Sequence, residues 1–366
     1  MPRIAKAIKL PRVAKGLGIM ARLPGGAEDR LTDLLGVAKN PGALRPRYYM
    51  PEDLKPGAPL VVVLHGCTQN AAVYDHGSGW SRLADKHGFA LLFPEQSRSN
   101  NPNLCFNWFN PEDVTRGHGE AASIAAMVER MEKAHGVDPA RVFVTGLSAG
   151  GAMAAAMLAT YPEMFAAGAI IAGVPYGCAS GVAEAFECMG GGGSGDARSL
   201  AANVRLASSH KGPWPRVQIW QGSADRTVAP GNAEALVRQW TELHGLPAQP
   251  ASTGTDDGHP HRAWTDAKGE KLVEHYSITG MGHGTPIDPG PDDGQSGEAG
   301  AHMLDVGLSS TDRIAEFFGI APKVAASARK PRAARPVEGK PSAAPAEASG
   351  VQATIEKALR TAGLMR

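Results

Sequence analysis

The sequence predicts an α/β domain: a mostly parallel central sheet with helices on both faces. Three observations carry that prediction. Short continuous apolar, β-branched runs recur along the chain, helix-period segments alternate with them, and Gly146-Leu147-Ser148-Ala149-Gly150 sits between one such run and one such helix.

Residues 60–64, Leu-Val-Val-Val-Leu, are apolar at every position, as a strand buried on both faces requires. Further strands are expected over 141–145, 216–220 and 272–278. Helices are expected over 80–87, 120–134, 152–161, 231–243 and 311–318, with Gly136, Pro139 and Pro162 where helices should stop. At 366 residues and 43% hydrophobic content the chain can bury one large core. Its net charge of +1 offers no global field for nucleic acid. No apolar span reaches the roughly 18 residues of a membrane-crossing helix.

The domain is expected over residues 43–321. Before it, 1–42 form a basic N-terminal extension whose first 22 residues carry Arg3, Lys6, Lys9, Arg12, Lys15 and Arg22 without one acid. That extension reads either as a frayed cationic tail or as a contact for an anionic or granule surface. After the domain, 322–350 form an Ala/Pro/Lys-rich linker with too little apolar surface to fold, and 351–366 a short amphipathic helix. Charges interrupt the N-terminal segment where a secretory signal needs an apolar core, which argues for the cytoplasm, in association with a granule.

Ser148 is the expected nucleophile. A serine on a sharp strand-to-helix turn has a strained backbone that needs small neighbours, and its hydroxyl points away from the sheet. The acid and base should follow it, each after its own strand. Asp225 lies just beyond the 216–220 run and His283 beyond the 272–278 run. Asp256 and Asp257 lack a preceding strand signal, and His275 falls inside a strand pattern. His259 and His261 are expected in a surface loop. A neutral imidazole can take the serine proton and return it to the leaving group. The loop after 60–64 supplies the backbone N–H of Cys67 as an oxyanion donor beside that of Ala149, and His65 orders that loop. Together these residues describe a serine hydrolase that needs no cofactor and no metal.

Four cysteines, Cys67, Cys105, Cys178 and Cys188, allow three disulfide pairings. Cys67–Cys105 with Cys178–Cys188 is preferred because the second closes a short loop; free thiols remain open. Phe106, Trp108, Phe109 and Tyr176 are candidates for an apolar cleft.

The chain resembles the polyhydroxybutyrate depolymerase family of esterases, relatives of the feruloyl and acetylxylan esterases. The resemblance rests on His65-Gly66-Cys67-Thr68-Gln69, Cys105-Phe106-Asn107-Trp108-Phe109, Arg116-Gly117-His118-Gly119-Glu120, the Ser148 pentapeptide and Gly280-Met281-Gly282-His283. It spans roughly residues 45 to 320. It implies an α/β-hydrolase fold, a Ser148–Asp225–His283 triad, Cys67 as an oxyanion donor, and Trp108 in the substrate cleft. It implies an ester substrate, a polyhydroxybutyrate surface or short 3-hydroxyacyl oligomers, and an extracellular location. A feruloyl or acetylxylan ester is the alternative substrate. A granule- or surface-binding protein on a hydrolase scaffold is the non-enzymatic alternative.

Overall fold

Strand β3 (Leu60–Leu64) is fully buried and lies inside a ten-stranded sheet, in a computed structural model that describes residues 28–192 and 195–323. The other strands are β1 (Thr32–Asp33), β2 (Arg45–Tyr49), β4 (Ala90–Glu95), β5 (Val142–Leu147), β6 (Ala167–Ile171), β7 (Arg216–Gly222), β8 (Ser252–Asp256), β9 (His259–Thr265) and β10 (Lys271–Ile278). Their order is β1-β2-β4-β3-β5-β6-β7-β10-β9-β8. The run from β4 to β10 is parallel, and the pairs at both edges are antiparallel. The four strands expected from the sequence all lie in the parallel core.

Alternation along each central strand divides the interior into two layers. Leu60, Val62, Leu64, Val142 and Val144 pack on one face; Val61, Val63, Phe143 and Trp220 pack on the other. The first face is covered by α4 (Gly119–His135), α5 (Ala149–Thr160), α7 (Ala197–Leu206) and α8 (Gly231–His244). The second is covered by α1 (Ala71–Ser78), α2 (Trp80–His87) and α9 (Ser310–Phe318). Two short helices, α3 (Pro111–Val114) and α6 (Val182–Met189), lie in loops. Every residue of α5 is buried, because its Ala- and Gly-rich sequence lets neighbours approach from all sides. The mostly parallel sheet with helices on both faces is the one the sequence predicts, and it is the α/β-hydrolase arrangement that the resemblance implies.

Two expectations need correction. The folded unit begins before residue 43: β1 pairs with β2, Leu31 and Leu34 are buried, and the buried Arg47 guanidinium meets Asp29 at 2.9 Å. Residues 252–265 are not a loop but the β8–β9 hairpin, turned at Asp257, whose φ is 45°. The expected basic contact at 1–22, the bulk of the linker and the terminal helix lie outside the described residues. Among the described residues, no helix is long and apolar enough to cross a membrane.

Candidate active site

Strand register builds this site. Leu64 pairs with Gly146, Leu147 with Ile171, Ile171 with Trp220, and Gly222 with Ile278. The parallel strands β3, β5, β6, β7 and β10 therefore end at one edge, where the loops of an open α/β sheet form its site.

Ser148 links β5 to α5 with φ 57° and ψ −117°, a conformation that L-residues adopt only under constraint. The constraint is close packing. A Cβ on Gly146 would lie 2.4 Å from the Gly150 carbonyl oxygen, and one on Gly150 would lie 2.3 Å from that of Leu64. The Ser148 N–H is held by the Ile171 carbonyl at 2.9 Å.

His283 Nε2 stands 2.8 Å from Ser148 Oγ, and its Nδ1 stands 2.7 Å from Asp225 Oδ2. The Asp225 side chain is fully buried and both its oxygens are saturated. Oδ2 also accepts from Gln221 Nε2, and Oδ1 accepts from the Thr227 and Val228 amides at 2.8 and 2.9 Å. A carboxylate so held orients the imidazole with Nδ1 protonated and Nε2 free to accept. The Asp225 and His283 loops are tied together: Ala224 N–H donates to Met281 O, and Gly280 N–H donates to Ser223 Oγ. The His283 loop is pinned further by β11 (Thr285–Ile287) pairing with β12 (Met303–Asp305). Next to that pair, His302 Nδ1–H donates to the His283 carbonyl at 3.2 Å.

His65 is buried with Nδ1–H donating to Gly66 O at 2.8 Å and Nε2 accepting from Gln96 N–H at 3.1 Å. Burial lowers its affinity for a proton. The ring orders the loop, as expected, and is no second base. No hydrogen bond within the described residues engages the Cys67 or Ala149 amide. Both disulfides form in the preferred pairing, Cys67–Cys105 and Cys178–Cys188.

The rival residues serve the fold. Asp256 and Asp257 bind Arg313 at 2.8 to 3.0 Å. His275 Nδ1 accepts from Arg262, and His259 lies between Thr279 N–H and Val306 O. His261, on β9, packs at a tilt against the Tyr276 ring.

The aromatic candidates divide. Phe106 is fully buried against the His65 ring at 5.0 Å, so it is a core residue and not a cleft residue. Trp108 is half-buried and packs on a small cluster of Ala152, Val174, Cys188 and Val228. Ala152 lies one turn after Ser148, and the Val228 amide holds Asp225, which places this apolar patch beside those two residues. Tyr176 is half-buried with its backbone clamped by Gln239, at 3.2 and 3.0 Å. The sequence did not reveal Gln221, His302 or the buried Glu120–Gln96 pair. Of these only Glu120 stood in a noted motif, and nothing there gave it a role.

Residues 46–258 match the family described as esterase PHB depolymerase. The chain is 49% identical over 294 residues to poly(3-hydroxyalkanoate) depolymerase C of Paucimonas lemoignei, covering 79% of this chain and 70% of that protein. It is 35% identical to an acetylxylan esterase of Coprinopsis cinerea over 271 residues, covering 72% of this chain and 71% of that one. The structure of an acetyl xylan esterase from Aspergillus awamori superposes with a TM-score of 0.67 at 27% identity, covering 80% of this chain and 99% of that one.

Proposed function

The chain belongs to the esterase PHB depolymerase family, and from that premise we propose that it hydrolyses polyhydroxyalkanoate esters through Ser148, His283 and Asp225. It is a carboxylic-ester hydrolase. His283 Nε2 takes the Ser148 proton as Oγ attacks the ester carbonyl, and the Cys67 and Ala149 N–H groups stabilise the oxyanion, each worth about 3 kcal/mol of barrier. Collapse breaks the ester bond, and the imidazolium protonates the departing alcohol. Water, deprotonated by the same imidazole, then releases the acid and frees Ser148. Asp225 stabilises the charged imidazole throughout. The observation that carries this reading is the continuous chain of 2.7 and 2.8 Å contacts ending on a strained strand-to-helix serine.

The polyester reading draws on the 49% identical depolymerase and on the apolar patch around Trp108. An acetylated sugar polymer is the second reading, favoured by the acetylxylan esterase relatives. A side-by-side assay on amorphous polyhydroxybutyrate, a hydroxybutyrate dimer, acetylated xylan and methyl ferulate separates them. Turnover of the first two is expected to dominate. Acetyl release from xylan without hydroxybutyrate release overturns the polyester reading.

The basic segment at 1–22 belongs to the same proposal as a contact for an anionic or granule surface. Deleting 1–22 together with 324–366 is expected to leave turnover of p-nitrophenyl butyrate intact and to weaken adsorption to polymer particles. A sedimentation assay with granules checks it, and unchanged adsorption removes the tails from the proposal.

A further inference from the structure

Glu120 is a carboxylate with almost no solvent exposure, in the first turn of α4, and the chemistry described above does not use it. All three of its side-chain bonds go to one segment. Oε1 accepts from Gln96 Nε2 at 2.5 Å and from Asn107 Nδ2 at 2.8 Å, while Oε2 accepts from the Asn107 amide at 2.9 Å. Gln96 Nε2 also donates to Cys105 O at 3.0 Å. Burial pushes the Glu120 carboxyl up to about 8, against the pull of the Gln96 and Asn107 donors. Gly42 closes the site from outside: a Cβ there would stand 2.5 Å from the Glu120 Cα.

The segment that Glu120 holds, residues 96–108, is also what holds the oxyanion loop. Gln96 N–H donates to His65 Nε2, and Phe106 packs on the same ring. Thr68 N–H donates to Asn103 O at 2.7 Å, and Cys67 is bonded to Cys105. Thr68 and Leu104, one on each side of the disulfide, have φ of 64° and 57°. A loop with strained residues beside its donor keeps its shape only if its surroundings over-determine it. Those surroundings converge on a single buried side chain.

We propose that Glu120 is a positioning residue for ester hydrolysis, fixing the 96–108 segment so that the Cys67 N–H meets the oxyanion. The inference rests on the serine-hydrolase reading of the same site. It assigns a role to the Arg116-Gly117-His118-Gly119-Glu120 motif. Arg116 and Gly117 anchor the motif to Thr160 O and the Tyr161 hydroxyl, and Gly119 fits where a Cβ would stand 2.5 Å from Asp113. Thus the motif presents Glu120 at a fixed height beneath Asn107.

An oxyanion donor acts on the transition state more than on substrate binding, so its displacement should change kcat and leave KM. Wild type, Glu120→Ala and Glu120→Gln are compared on p-nitrophenyl butyrate. Each is normalised to the fraction of Ser148 that a p-nitrophenyl phosphonate labels at completion. Glu120→Ala is expected to lose about ten- to a hundredfold in kcat per labelled site, with KM within about threefold and the labelling rate falling in parallel. Glu120→Gln should recover only part of the loss, because its amide oxygen keeps the two donors that share Oε1 while its NH2 group faces the Asn107 N–H that Oε2 accepts from.

Per-site kcat of Glu120→Ala within about twofold of wild type overturns the proposal, as does a loss confined to KM. A Glu120→Gln variant whose loss falls in KM and not in kcat overturns it too. If Glu120→Ala does not fold, Asn107→Ala removes one of the three bonds and should lower the same two rates by a smaller factor. Unchanged rates there count against the proposal equally. Failure of the phosphonate to label Ser148 in the wild type removes the serine-hydrolase reading itself, and is thereby distinguished from failure of the Glu120 role.

Discussion

Ser148→Ala is expected to fold like the wild type and to lower kcat on a short-chain p-nitrophenyl ester by about 10⁴- to 10⁶-fold. The strain at this position belongs to the backbone, with φ 57° and ψ −117°, and Ala carries the same Cβ as Ser. The substitution therefore adds no clash and removes one hydroxyl. His283 keeps its bond to Asp225, so the base loop stays in place. What disappears is the atom proposed to form the acyl-enzyme. Because nucleophile and base act as a unit, His283→Ala should cost nearly as much and the double variant little more. Thermal unfolding and kcat measured on the same preparation decide the matter. Ester turnover within about tenfold of wild type, by a folded Ser148→Ala, would end the assignment of Ser148 as nucleophile.

The parts of the site that could be read in the sequence are those set by strand ends. The strands β3, β5, β7 and β10 are buried between helices, so their apolar runs stand out, and the residue just past each run falls at the shared edge. That is why Cys67, Ser148, Asp225 and His283 emerge from spacing alone. The antiparallel margins carry no such signal. Strand β8 is exposed at nearly every position, and β2 reads Arg-Pro-Arg-Tyr-Tyr, with Arg47 buried by an ion pair that no periodicity reveals. With β8 silent, Asp256 lacks a preceding strand signal, and its partner Arg313 emerges only in the fold.

Phe106 illustrates a different limit. Three aromatics fall within residues 106–109, and their composition does not say which one turns inward. The choice is made by His65, far earlier in the chain, whose ring Phe106 covers. Glu120 was hidden for a related reason. An acid in the first turn of a helix is ordinary on electrostatic grounds, and only the arrival of Gln96 and Asn107 around it marks this one as a hub.

Gly150→Ala should be the most damaging of the conservative changes near Ser148. Its Cβ would lie 2.3 Å from the Leu64 carbonyl oxygen and 2.6 Å from that of His65. Neither atom can withdraw cheaply. Leu64 is the last residue of a strand paired on both sides, and His65 is held by Gln96, Gly66 and Phe106. Relief must come from moving the elbow away from β3, which shifts Ser148 relative to Cys67 and stretches the contact with His283. Overpacking of a rigid interior costs about 1–3 kcal/mol and more where backbone meets backbone. A shift of about 1 Å at the reacting centre costs a further hundredfold or so in rate. The expected result is a lower urea midpoint together with a loss of about a thousandfold or more in kcat/KM. Gly254→Ala is the matched control, since nothing lies within 4 Å of its Cβ and the position is exposed on β8. It should leave both measurements near wild type. Should Gly150→Ala retain the wild-type urea midpoint and full activity, the tight contact between the elbow and the end of β3 is not what holds Ser148 in its strained conformation.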